Sequence, residues 1–105
     1  MRRFHPRDLA ARLASADPPL LLDVREPWEF ERCRIAGSRL VPMRRVPEVA
    51  PQLDPEAEVV VICHHGIRSR QVALYLERLG FANVINLEGG VEAWAREVDP
   101  AMPRY

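Results

Sequence analysis

Glu58-Val59-Val60-Val61-Ile62-Cys63-His64-His65-Gly66-Ile67-Arg68-Ser69 is the stretch from which the rest of the chain can be read. Val59 to Ile62 is a short unbroken apolar run, β-branched throughout and too short for a helix, which predicts a buried strand. Cys63 to Arg68 is a polar loop with a single glycine, Gly66. From Ser69 the pattern turns helical. Val72, Leu76 and Leu79 recur at steps of four and three, Ala73 and Leu74 widen the face, and Gly80 ends it. A cysteine therefore stands where a buried strand ends and a helix begins. Backbone N–H groups and the positive helix end converge at such a junction, which suits a thiolate, the reactive form of cysteine.

Outward from this stretch, strands and helices alternate. Pro6-Arg7-Asp8 opens a helical pattern carrying Leu9, Ala10, Leu13 and Ala14, and Asp17-Pro18-Pro19 breaks it. Leu20 to Val24 is a second buried strand, with Asp23 and Arg25 at its end. Trp28 to Cys33 suits a short helix, Leu40-Val41 a brief strand, and Arg44 to Leu53 a helix weakened by Pro47 and Pro51. Asn83 to Leu87 is a further strand, Gly89-Gly90 a turn, and Val91 to Val98 a last helix with Trp94 in the core. This alternation predicts an α/β domain over residues 1–105, with a mostly parallel central sheet of about five strands and helices on both faces. Ligands in such sheets bind beyond the carboxyl ends of the strands. Cys63, Asp23, Arg25, Glu88 and Gly89 all fall at or just after strand ends, so one rim can hold them.

Composition narrows the function classes. A chain of 105 residues suits one core, and 48% hydrophobic with 29% charged residues is ordinary for a soluble globular protein. Formal net charge is zero, which gives no electrostatic case for nucleic acid or an anionic membrane. All 15 basic side chains are arginine, which leaves no lysine chemistry. Cys33 and Cys63 have neither disulfide-framework nor zinc spacing. No apolar run follows Met1-Arg2-Arg3-Phe4, so no secretory leader is expected, and a cytoplasmic location is.

Three ordered stretches resemble one family. The Cys63 loop, ending in Arg68-Ser69 before a helix, resembles the active-site loop of the rhodanese-like sulfurtransferases. Leu20-Leu21-Leu22-Asp23-Val24-Arg25-Glu26-Pro27-Trp28-Glu29-Phe30 resembles the family's N-terminal signature, and Asn86-Leu87-Glu88-Gly89-Gly90-Val91-Glu92-Ala93-Trp94 its C-terminal one. The resemblance implies a rhodanese-like fold and transfer of sulfur from a donor such as thiosulfate through a persulfide on Cys63. The acceptor would be cyanide, a small thiol or a protein thiol, with no cofactor or metal. The expected partners are a small anionic donor and a thiol or protein acceptor, and the expected state is a monomer or weak dimer. The family usually has Gly-His-Ile-Pro-Gly-Ala after its acidic helix. Here Cys33-Arg34-Ile35-Ala36-Gly37-Ser38 keeps only Ile35 and Gly37 of that pattern.

Each residue has a reading of its own. Cys63 is the nucleophile, and His64, His65, Arg68 and Arg70 crowd positive charge around it. His64, His65, Gly66, Ile67, Arg68 and Ser69 form the expected substrate-binding set, working mainly through backbone N–H groups that make a concave anion site. Gly66 lets the loop turn back on itself. The fork of Arg68 suits a tetrahedral oxyanion. Ser69 is expected as the helix N-cap. Asp23 and Arg25 are expected to pair and brace the loop from the next strand. Three adjacent residues do not turn their side chains to one ion, so Cys63, His64 and His65 are not expected to bind metal. Cys33 is expected to be a bystander. Two rivals stay open: a phosphatase or arsenate reductase on the same fold, and a non-catalytic module that keeps the fold.

Overall fold

The structure is a computed structural model and describes residues 1–105. Five strands, β1 (Arg2–Phe4), β2 (Leu20–Asp23), β3 (Arg39–Leu40), β4 (Val59–Ile62) and β5 (Val84–Leu87), form one sheet in the order β1-β5-β4-β2-β3. Every pairing is parallel. The helices are α1 (Pro6–Leu13), α2 (Pro27–Arg32), α3 (Val46–Val49), α4 (Ile67–Arg78) and α5 (Gly90–Glu97). None is long and apolar enough to cross a membrane.

The central strands are apolar on both faces because helices cover both. Side chains alternate along a strand, so Leu22, Val59, Val61 and Val84 pack with Val72, Ala73 and Leu76 of α4 and Val46 of α3. Leu21, Val60, Ile62, Ile85 and Leu87 pack on the other face with Leu9 of α1 and Val91, Trp94 and Ala95 of α5. Each fully buried aliphatic side chain contributes roughly 1.5–3 kcal/mol by leaving water. Parallel register then brings the strand ends together. Asp23 lies beside Ile62, and Val61 beside Asn86, so the segments after β2, β4 and β5 leave the sheet on one rim.

Sequence and structure differ at several element ends, each for a local reason. Arg2–Phe4 forms an edge strand on β5 that no apolar run announces, because both arginines face solvent and only Phe4 packs inward. Arg44 to Leu53 is not one helix. It divides into a 3₁₀ turn at Met43–Arg45, the single turn of α3, and a second 3₁₀ turn at Ala50–Gln52. Pro47 and Pro51 each sit in the first turn of a new segment, where a missing N–H costs nothing. The central helix starts at Ile67 rather than Ser69, with Gly66 as its N-cap at φ +93°. Both α1 and α2 begin with proline, and their third residues, Asp8 and Glu29, accept the N–H of His5 and of Glu26 at 2.9 and 3.0 Å.

Leu22→Ala, at the sheet centre, is expected to lower the free energy of unfolding by about 2–5 kcal/mol. Leu79→Ala, half-exposed at the end of α4, should stay within about 0.5 kcal/mol of wild type. Urea denaturation of both variants checks the pair.

Candidate active site

The loop from Cys63 to Arg68 is shaped from two sides. Its carbonyls face α5: the N–H groups of Val91 and Glu92 donate to Cys63 O at 3.0 Å and His64 O at 3.1 Å. Two N–H groups at its end face the sulfur. Gly66 N–H donates to Cys63 Sγ at 3.1 Å and Ser69 N–H at 3.3 Å. Both are N-terminal donors of α4 that no intrahelical carbonyl can satisfy, so the thiol takes the place of a cap. Gly66 is required at its position twice over. Its φ of +93° disfavours a side chain, and a Cβ there would lie 3.1 Å from Gly89 N and 3.3 Å from Leu87 O.

Ser69 is not the N-cap. Gly66 starts the helix earlier, which carries Ser69 into its first turn with a fully buried hydroxyl. The Cys63 thiol donates to Ser69 Oγ at 3.3 Å, and Ser69 Oγ donates to Asn86 Oδ1 at 2.5 Å. Asn86 Nδ2 donates to Gly66 O at 3.3 Å and to Glu88 Oε2 at 3.2 Å. A proton on sulfur is thus directed along a serine–asparagine chain, and a thiolate could receive the serine hydroxyl instead. Asn86 was not among the expected site residues. Its signal was a polar residue inside the apolar run Val84-Ile85-Asn86-Leu87, since a buried amide requires partners.

Asp23 and Arg25 form a buried ion pair at 2.7 Å. Arg25 also donates to Cys33 O at 2.7 Å, to Tyr105 Oη at 2.7 Å and to Glu29 O at 3.3 Å. Burial works against its charge, but the hydrogen bonds and charge of Asp23 outweigh that and raise it above the ordinary arginine value. Arg25 is fully enclosed and does not face the solvent side of the loop.

The fork of Arg68 is occupied. It grips Glu29 through two bonds of 2.7 and 2.9 Å, so the oxyanion expected from the sequence meets a carboxylate already in place. Arg68 draws the Glu29 carboxyl down to about 2, against the effect of burial, with help from the Glu26 N–H and the Tyr105 hydroxyl. Arg68 is itself raised by the same pair. Glu29 escaped notice in the sequence because an acidic residue in a first helical turn is commonplace.

His64 is half-buried in the loop. Burial pushes its imidazole below the ordinary value, and His65 adds to this. It stacks on His65 at 4.1 Å and on Tyr105 at 4.0 Å between ring centroids. The histidine rings thus meet each other and a tyrosine rather than converging with Cys63. His65, Ile67 and Arg70 border an open groove of about 500 Å³ whose other walls include Arg3, Leu74 and Glu88. Cys33 is buried and free, with its sulfur 3.9 Å from Arg25 Nη1. Tyr105 carries no signal at all in the sequence.

The site is thus a thiol held by two backbone N–H groups at the carboxyl rim of a parallel α/β sheet. The chain belongs to the rhodanese-like domain family, whose model matches residues 5–97. It is 38% identical over 88 residues to a sulfurtransferase of Allochromatium vinosum, covering 84% of this chain and 82% of that protein. It is 40% identical over 93 residues to the rhodanese-like/PpiC domain-containing protein 12, chloroplastic, of Arabidopsis thaliana, covering 85% of this chain but only 31% of the plant protein. Among solved structures, a rhodanese-like domain protein from Staphylococcus aureus matches with a TM-score of 0.86 at 30% identity, over 93% of this chain and 95% of that one.

Glu29→Gln should weaken the clasp on Arg68 and lower stability by about 2 kcal/mol at neutral pH. The sign of the pH dependence follows from a depressed carboxyl. Its contribution is complete above the unfolded value and is lost as pH falls through about 2. Unfolding free energy measured between pH 7 and pH 2 should therefore drop less in Glu29→Gln than in wild type.

Proposed function

We propose that this chain moves sulfane sulfur from a small anionic donor such as thiosulfate to a thiophilic acceptor through a persulfide on Cys63. The observation that carries this reading is the pair of backbone N–H groups directed at Cys63 Sγ, from Gly66 and Ser69. The Cys63 thiolate attacks the outer sulfur of thiosulfate. An S–S bond forms, the bond between that sulfur and the sulfonate sulfur breaks, and its electron pair leaves with sulfite. An acceptor such as cyanide then attacks the outer sulfur, departs as thiocyanate and returns the electron pair to Cys63. The inward N–H groups of the loop hold the negative charge at both stages.

Within this proposal Arg68 closes the loop through Glu29 rather than by gripping the donor, and Asp23 with Arg25 supports the loop from β2. His64, His65 and Ile67 shape the surface over which donor and acceptor approach. Buried free Cys33 and Cys63 suit a reducing compartment, in keeping with a cytoplasmic location.

The loop length separates this reading from the phosphatase rival. Four residues lie between Cys63 and Arg68, a Cys-x4-Arg loop, whereas the related phosphatases resemble Cys-x5-Arg. A phosphate centre carries oxygens on every side and needs a wider ring than one sulfur atom. An added residue supplies up to about 3.3–3.6 Å of chain.

Intact mass spectrometry after thiosulfate should show a gain of one sulfur atom, lost again on adding cyanide. Cys63→Ser should take up none, and Cys33→Ser should keep most of the transfer rate. Inserting a glycine after Gly66 should weaken transfer. Turnover of an aryl phosphate by the wild type, with no sulfur loaded on Cys63, would favour the phosphatase instead.

A further inference from the structure

Building on the sulfur-transfer reading, we propose that Tyr105 is a positioning residue that holds both ends of the Cys63–Arg68 loop in the geometry needed for sulfur loading. Its ring lies on His64, the residue after Cys63, with centroids 4.0 Å apart and planes 16° from parallel. Its hydroxyl accepts from Arg25 Nη1 at 2.7 Å and donates to Glu29 Oε2 at 2.9 Å. Glu29 in turn grips Arg68, the last residue of the loop. One side chain thus touches the start of the loop by stacking and its end through a single carboxylate.

The tyrosine is itself fastened by contacts that do not involve the loop. Asp99 N–H donates to Trp94 O at 3.0 Å, and Met102 N–H to Asp99 O at 3.0 Å. Met102 is buried in the α5 face of the core. Arg104 pairs with Glu92 of α5. Trp28 of α2 meets the Tyr105 ring edge-on at 5.7 Å. The segment after α5 is therefore anchored first, and it delivers Tyr105 to the loop as a strap.

The hydroxyl must stay protonated to donate to Glu29, and burial keeps it so, pushing the phenol up to about 12. The charged groups around His64 are Glu29, Glu92, Arg25 and His65; Glu29 and Arg25 also bond the Tyr105 hydroxyl, but each keeps its own ion pair, with Arg68 and Asp23, when Tyr105 is changed. The stacked ring is the removable part of the His64 enclosure. Small displacements suffice to matter, because a misplacement of about 1 Å at a reacting centre can cost about 100-fold in rate.

Tyr105→Phe and Tyr105→Ala separate the two halves of the role. The readouts are the rate of Cys63 sulfur loading against thiosulfate concentration, the NMR titration of His64, and the backbone amide shifts of Gly66 and Ser69. Tyr105→Phe keeps the stack and loses the bridge. Its maximal loading rate should fall about 3–10-fold, the factor expected for one hydrogen bond. Its half-saturating thiosulfate should barely change, and His64 should titrate as in wild type. Tyr105→Ala loses both. Loading should fall about 30–100-fold, His64 should titrate nearer its ordinary value, and both amides should shift. Wild-type loading in a folded Tyr105→Phe would overturn the proposal, as would a variant that loses thermal stability alone. If the wild type takes up no sulfur, the sulfur-transfer reading fails, and the positioning role is then decided by the amides. Unmoved Gly66 and Ser69 shifts in Tyr105→Ala, or in Tyr105→Phe should Tyr105→Ala not fold, would overturn it.

Discussion

Two hydrogen bonds from the first turn of α5 set the site. Val91 and Glu92 give their N–H groups to the carbonyls of Cys63 and His64. A trans peptide unit carries its N–H opposite its C=O, so fixing these carbonyls against α5 turns the following N–H groups away from it. The approach demands an absent side chain at Gly90, where a Cβ would collide with both carbonyl oxygens. It also satisfies donors at the start of α5 that would otherwise be orphaned. One contact thus caps a helix, orients a loop and ties β4 to the segment after β5. The donors of α4, at Gly66 and Ser69, are left with the sulfur as their acceptor.

Support from the other side comes through ion pairs graded by burial. Asp23 and Arg25 are wholly enclosed, and a buried pair of this kind stabilises only when the remaining donors are also used. Arg25 meets that condition by donating to Glu29 O, Cys33 O and Tyr105 Oη. Removing either charge would leave the other stranded, which makes the pair a rigid fixture of the rim. Glu29 and Arg68 form the outer layer. Arg68 is partly exposed and Glu29 is not, so this clasp closes the loop at its solvent edge while the inner pair holds α2 and Tyr105 through Glu29 O, Cys33 O and Tyr105 Oη.

The fold was legible because apolar runs mark strands that are covered on both faces. Leu20–Asp23, Val59–Ile62 and Val84–Leu87 could be seen in the sequence for that reason, and β1 could not, because Arg2 and Arg3 occupy an edge. The cysteine, the glycine turn and the Asp23–Arg25 pair could be read from position along the chain. Asn86 could have been, as a polar residue in a buried strand. Glu29 and Tyr105 could not: their part depends on tertiary distance, with Tyr105 lying 76 residues from Glu29 and 80 from Arg25. The helix cap was misplaced by three residues, at Ser69 instead of Gly66, because local pattern favoured serine. What decided it was the left-handed Gly66, whose need arises only from the close approach of Gly89 and Leu87.

These pairings change how the site handles charge. The sequence places His64, His65, Arg68 and Arg70 near Cys63, from which an electropositive pocket is expected. In the structure Arg68 is matched by Glu29 and the nearby Arg25 by Asp23, and burial disfavours the charged form of His64. The Arg68 and Arg25 charges are therefore balanced by carboxylates before the sulfur ionises. What remains to hold an anionic sulfur is the set of backbone dipoles at the start of α4, reinforced by the Ser69 hydroxyl. Such donors are already oriented and need no reorganisation when charge develops on the sulfur. They are also short-ranged, so they act on the atom at the centre of the loop and little on anions passing outside it.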